Sequence, residues 1–250
     1  MMTSGQDLLN KAIEAHGGLN RWKTIEEIVA HIRSGGAAIP LRLKFGAFKS
    51  YEARISTTEP RITFSPFAGM RNRGVFLGDR VRIESDTGQI LVERTNAKAA
   101  FSSFRHNLYW DNLDALYFGG YAIWNYFSAP FLLLQKGFLI REIDPWEENG
   151  QEWRRLHVSF PPNIPTHSRE QVFYFNSDGL IMRLDYTAEV FGAWAKAAHY
   201  CTDYKNFSGL IVPARRRVFP RKSDGSPRSF PTLVWIEVDQ IVISEKQSSL

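Results

Sequence analysis

Along residues 4–16, Leu8, Leu9, Ala12, Ile13 and His16 recur at helical spacing behind Ser4, and Gly17-Gly18 closes the run. This predicts an amphipathic helix. Residues 19–22 continue it as a short turn that places Trp22 on the core. From Thr24 the period changes to two: Ile28, Ala30 and Ile32 alternate with Val29, His31 and Arg33, as in a half-buried strand. Gly35-Gly36 permit a turn or bulge, after which Leu41, Leu43 and Phe45 resume the alternation. Further strands are expected over 51–55, 61–64, 79–84, 89–93, 138–143 and 151–160. The C-terminal part adds 170–175, 180–186, 196–204, 210–219 and 232–244. Turn residues separate many of them: Ser85-Asp86-Thr87-Gly88, Asn149-Gly150, Asn176 to Gly179 and Asn206 to Gly209.

Residues 97–137 break this rhythm. Within them, 115–135 carry no formal charge, and at about 1.5 Å per helical residue they have the length to cross a hydrocarbon layer of about 30 Å. Asn125 near the middle, Gly119-Gly120, Pro130 and three internal tyrosines favour a helix laid on the open face of a sheet instead. About ten or eleven antiparallel strands interrupted by one helical insertion predict an α+β, mainly β protein. The expected architecture is a large curved antiparallel half-barrel with an N-terminal helix and a helical lid. No linker, repeat or low-complexity stretch divides it, so 1–250 reads as a single domain: helices in 1–23, a first strand set in 24–96, the lid in 97–137 and a second strand set in 138–250.

The opening AIEAHGGLNRWKTIEEI resembles the helix-turn-strand start of LolA-like and LppX-like proteins. The ending is similar too: HYCTDYKNFSGLIVPARRRVF, a hairpin loop with DGSP, then TLVWIEVDQIVI. The resemblance implies an unclosed antiparallel half-barrel wrapped around a hydrophobic cavity, over most of the chain. Carriers of that family are exported, whereas this chain shows neither a signal-peptide pattern nor a lipobox cysteine near its start. The cavity carries over as an expectation, and the lipoprotein-trafficking role does not.

Composition sharpens the cavity. The chain has 7 Trp, 9 Tyr and 18 Phe, 14% aromatic in all, within an ordinary 44% hydrophobic and 23% charged background. Aromatic residues commonly line pockets for apolar ligands. A net charge of +5 is modest for a nucleic-acid binder, and no nucleic-acid partner is expected. One cysteine, Cys201, forms no internal disulfide, and with no export pattern the expected location is cytoplasmic.

The common catalytic and nucleotide motifs are absent: no GxGxxG after a strand, P-loop, GxSxG elbow, HExxH or paired CxxC. No cofactor and no metal site are expected. His106, Asp111 and Asp114 offer ligand types in one short stretch, yet Asp111 is placed to cap the following helix and Asp114 to favour its positive end. In the C-terminal strands, period two puts Ile181, Arg183 and Asp185 on one face, and His199 and Cys201 on one face of the next strand. Arg215 and Arg217 share a face beyond the turn. If these faces converge inside, Asp185 orients His199 for acid-base chemistry while Arg183 and Arg217 hold an acidic head group. If they lie outside, they are ordinary cross-strand charge pairs. Alternation alone does not choose.

His167 is a second acid-base candidate, with Tyr109 or Tyr186 as phenolic partner. In the lid, Tyr117, Tyr121 and Trp124 share a helical stripe, and Trp110 stands nearby; these are read as ligand-lining or as core. The expectation is binding of a hydrophobic or amphipathic small molecule, lipid- or acyl-like. The alternative is a cofactor-independent lyase, isomerase or hydrolase acting on an apolar substrate in the same cavity. Peripheral membrane contact through the uncharged helix is a third reading.

Overall fold

The computed structural model describes residues 4–38, 40–42, 46, 48–102 and 108–246. Helix α1 spans Ser4–Ala15 and α2 spans Leu19–Thr24. Strands β1 (Ile25–Gly35), β2 (Ser50–Ser56), β3 (Arg61–Ser65), β4 (Asn72–Leu77), β5 (Arg80–Ser85) and β6 (Ile90–Arg94) follow. Helix α3 spans Asn112–Ser128. The remaining strands are β7 (Leu139–Glu148), β8 (Gln151–Ser159), β9 (Glu170–Phe175), β10 (Ile181–Thr187), β11 (Lys196–Phe207), β12 (Leu210–Pro220) and β13 (Val234–Glu245). All lie in one curved, unclosed antiparallel sheet, ordered β6-β5-β4-β3-β2-β1-β13-β12-β11-β10-β9-β8-β7. The protein is mainly β, with a half-barrel sheet and a helical lid, as the pattern predicts.

The order explains the insertion. Each short turn keeps consecutive strands adjacent, so the chain meanders from the central β1 to one edge at β6. It must resume at β7, the opposite edge, and meander back until β13 pairs with β1. Only a long connection joins two edges. Helix α3, 17 residues and therefore about 25 Å long, supplies the middle of that bridge across the concave face. Its start is fixed as the sequence suggests. The Asp111 carboxylate accepts from the Asp114 N–H and the Asp114 carboxylate from the Asp111 N–H, both at 2.9 Å. Arg94, at the end of β6, ties both carboxylates at 2.5 and 2.6 Å. Those two acids are thus spent on structure, and His106 lies outside the described residues.

Helix α3 sits tightly on the sheet. A Cβ on Gly120 would stand 2.4 Å from the Phe76 ring, and one on Gly119 equally close to Phe48. Every residue from Leu113 to Ser128 is buried. Among the described residues no helix is long and apolar enough to cross a membrane. Trp22 stacks on Phe131 with ring centroids 4.4 Å apart.

Two details differ from the pattern. Among the described residues thirteen strands form, against the expected ten or eleven. Strand β4 goes unpredicted because Gly74 interrupts its apolar side; that gap admits Leu116 of α3 and Phe67, each 2.7 Å from where a Cβ would be. Of the expected strand over 41–45, residues 41 and 42 instead belong to a single 3-10 turn, Pro40–Arg42, and 43–45 lie outside the described residues.

Candidate functional site

Between α3 and the concave face lies a cavity of about 710 Å³. Helix α3 lines it with Phe118, Gly119, Ala122, Ile123 and Tyr126; the sheet contributes Tyr51, Tyr186, Ala197, Val218 and Ile236. Gly35 ends β1, and Gly36 follows it along the cavity wall. A Cβ on Gly36 would come 2.4 Å from the Leu233 carbonyl oxygen, and its φ of 117° also favours glycine, so the segment before β13 packs closely there. At the mouth stand Lys49, Lys196, Arg221 and Arg228, with Trp194 72% and Phe230 81% exposed. Among the described lining residues there is no aspartate or glutamate. The mouth is therefore a cationic ring with aromatic edges, above apolar walls.

The polar end of the cavity is built from three elements. Tyr126 comes from α3, Tyr186 from β10, and His167 from the β8–β9 loop. Asn125 pins that loop by donating to the Pro165 carbonyl at 2.8 Å, and the His167 carbonyl accepts from the Glu189 N–H at 3.1 Å. The Tyr126 hydroxyl meets His167 Nε2 at 2.7 Å and the Tyr186 hydroxyl at 2.9 Å, while Tyr121 meets His167 Nδ1 at 3.3 Å. The Tyr186 ring stacks on the imidazole with centroids 4.0 Å apart. Burial pushes the His167 pKa down to about 3, so the ring is neutral at physiological pH. Burial likewise raises the Tyr121, Tyr126 and Tyr186 hydroxyls above the ordinary phenol range. The cluster is a set of uncharged hydrogen-bonding groups.

Tyr186 and His167 thus line the cavity, together, with Tyr186 rather than Tyr109 as the phenolic partner; Tyr109 is exposed. His199 lies one layer deeper, fully buried against the Tyr126 ring at 4.5 Å, and it does not line the cavity. The expected convergence of Arg183, Asp185, His199 and Arg217 does not occur. In the β10–β11 register Leu184 faces His199 and Asp185 faces Ala198, so the Asp185 carboxylate and the His199 imidazole leave the sheet on opposite sides. Ile181 does not share the face of Arg183 either, since a bulge separates them.

Arg183 and Asp185 belong to the convex side. The Arg183 guanidinium is fully buried there, donating to Asp185 at 2.7 and 2.9 Å, to Glu148 at 2.8 Å and to the Gly225 carbonyl. Trp146, Tyr174 and Tyr200 surround it with ring centroids 4.8–5.5 Å away. The β12–β13 hairpin folds over this face, which buries a pair that alternation would leave in water. Arg217 is also convex, paired with Glu237 at 2.6 Å and set over Trp235. Of the lid aromatics, Trp110, Tyr117, Tyr121 and Trp124 are core rather than lining. Trp110 packs on Phe101 and Phe191, Tyr117 on Phe76, Tyr121 on Phe118, and the Trp124 indole donates to the Ser56 carbonyl at 3.1 Å. The residues that meet the cavity lie one position further round the helix.

The arginine inside is Arg216. It is 4% exposed, donates to the Tyr126 carbonyl at 2.7 Å, and reaches Cys201 Sγ at 3.0 Å and His199 Nε2 at 3.4 Å. A signal for it exists in the sequence. Counting outward from the Ser208-Gly209 turn, Phe207 opposes Leu210, and the same register sets Cys201 opposite Arg216. Burial raises the Cys201 thiol against the opposing influence of Arg216, so it stays a neutral thiol.

No family model matches this chain, and neither does any curated protein. Solved structures do. A LolA superfamily protein from Nitrosomonas europaea superposes with a TM-score of 0.52 at 10% identity, covering 96% of this chain and 93% of that one. A putative outer membrane lipoprotein-sorting protein domain from Vibrio parahaemolyticus gives 0.53 at 8% identity, covering 98% and 93%. At these identities the likeness speaks for architecture alone, and over nearly its whole length this chain has the LolA-like fold.

Proposed function

We propose that the protein binds an amphipathic small molecule, lipid- or acyl-like, with its apolar body between α3 and the sheet and an acidic head at the mouth. The observation that carries this reading is the pairing of apolar walls with a cationic ring that includes no acidic lining residue among those described. About 710 Å³ is the size of a drug- or acyl-sized site. The head-group role passes from Arg183 and Arg217, both committed to carboxylates outside, to Lys49, Lys196 and Arg228. A fold shared with a domain described as lipoprotein-sorting is consistent with the same chemistry.

Catalysis in the same cavity is the second reading, because His167, Tyr126 and Tyr186 face its interior. A general base works best with a pKa near the working pH, and burial holds His167 at about 3. That weighs toward recognition of a ligand rather than proton transfer. The test is native mass spectrometry of the purified protein, with extraction of anything bound, followed by titration of a fluorescent fatty acid. Ala122→Trp fills the space beneath the mouth and is expected to weaken the probe at least tenfold while the protein stays folded. Probe binding that survives Ala122→Trp unchanged, or a wild-type protein that is empty and binds no probe, defeats the proposal.

A further inference from the structure

The Tyr121–His167–Tyr126–Tyr186 chain carries one hydrogen more than it can use internally. Three hydroxyls and one neutral imidazole bring four hydrogens to three contacts, so one end of the chain keeps a hydrogen unspent. Three assignments make all three contacts, but the one in which Tyr126 accepts from both Nε2–H and Tyr186 asks the Tyr126 oxygen, already set between two neighbours, to find a third partner for its own hydrogen, so two directions remain. In one, Tyr186 donates to Tyr126, Tyr126 to Nε2, and Nδ1–H to Tyr121, which strands the Tyr121 hydrogen. Tyr121 is fully buried among rings, and among the described residues its hydroxyl has no partner besides His167. A buried hydroxyl hydrogen without an acceptor is costly. In the other direction Tyr121 donates to Nδ1, Nε2–H to Tyr126, and Tyr126 to Tyr186. The spare hydrogen then sits on Tyr186, which lines the cavity and whose hydroxyl has no other partner among the described residues.

We propose that the cavity presents the Tyr186 hydroxyl as a hydrogen-bond donor and therefore selects amphiphiles bearing an uncharged oxygen acceptor, such as a ketone or ester carbonyl, along the chain. This rests on the carrier reading and refines its ligand class. A charged oxygen is disfavoured at this depth. The nearby cation, Arg216, is not among the lining residues and turns its terminal nitrogens to the Tyr126 carbonyl, Cys201 and His199, and burying an anion without a partner is unfavourable. The acidic group stays at the mouth with Lys49, Lys196 and Arg228, and the acceptor reaches inward.

Two measurements decide it. Long-range proton–nitrogen NMR on histidine-labelled protein at neutral pH, with His167→Gln to identify the signals, reads the tautomer without any ligand. The Nε2–H form of His167 is expected, and the Nδ1–H form overturns the inference. Calorimetry then compares myristate with a panel of its mono-ketone analogues. At least one ketone position should bind about fivefold tighter than myristate, the worth of one neutral hydrogen bond. Tyr186→Phe should erase that difference. No preferred ketone, or a preference that survives Tyr186→Phe, refutes the selection. If neither myristate nor any ketone binds, the carrier reading fails and the ligand class falls with it; the tautomer still shows whether the donor direction was correct.

Discussion

Acidification from about pH 7.5 to about pH 5.5 should remove about 4 kcal/mol of folding stability, a large share of the 5–15 kcal/mol typical of a domain. His16, His167 and His199 are each at most 2% exposed. Burial pushes His16 down to about 4 and His167 to about 3, and holds His199 well below the ordinary imidazole range, with Arg216 adding to the effect at His199. A base whose folded pKa is depressed takes up its proton only on unfolding. Its stabilising contribution is complete above the unfolded pKa of about 6.5 and is lost as the pH falls below it. Each such histidine costs about 1.4 kcal/mol per pH unit once the unfolded form is protonated, and three act in the same direction. Carboxylates held below their ordinary range by arginine partners, such as Asp111 beside Arg94 and Glu142 beside Arg154, stay ionised throughout this window. Urea unfolding at a series of pH values gives the slope directly. The proton uptake on unfolding should approach three near pH 5.5, and His167→Gln should lower it by about one. An uptake of less than about one proton would show that these imidazoles reach solvent, and with it would fail the neutral Tyr126–His167–Tyr186 cluster.

Two substitutions probe the scaffold. Gly120→Ala sets a methyl against Phe76, and overpacking of about 1–3 kcal/mol should exceed the gain of about 1 kcal/mol in helix propensity, lowering Tm by a few degrees; an unchanged or raised Tm in a thermal scan would contradict the close helix–sheet contact. Arg183→Met leaves Asp185 buried with Arg221 at 3.4 Å and the Tyr174 hydroxyl at 2.8 Å, and should cost about 3–5 kcal/mol in urea unfolding. The double variant with Asp185→Leu should recover much of that loss, and a single variant costing under about 1 kcal/mol would mean the pair is solvated.

Much of the architecture is local, and the sequence by itself determined it. Asn149-Gly150 turns with both residues at positive φ, 53° and 75°, as a two-residue hairpin needs. The Ser208-Gly209 turn sets the register that places Arg216 opposite Cys201. The Asp111–Asp114 capping box starts α3 where the apolar pattern begins. Strand β4 escaped because Gly74 exists to admit α3, a reason that lies in another element. The candidate site was legible only in part. Tyr186 and His167 were identifiable by residue type, but the division of Arg183, Asp185 and Arg217 from His199 was not. Period-two alternation is unchanged when the two faces of a sheet are exchanged, so it assigns residues to common faces without saying which face is inside. That choice belongs to the curvature of the sheet and the path of the insertion from β6 to β7. Helix α3 poses the same difficulty in another form: it is apolar all round and buried on every side, so no amphipathic stripe marks which aromatics meet the cavity and which are core. Only the packed structure, by setting the rotation of α3 against the sheet, decided that Phe118, Ala122 and Tyr126 face the cavity and that Tyr117, Tyr121 and Trp124 do not.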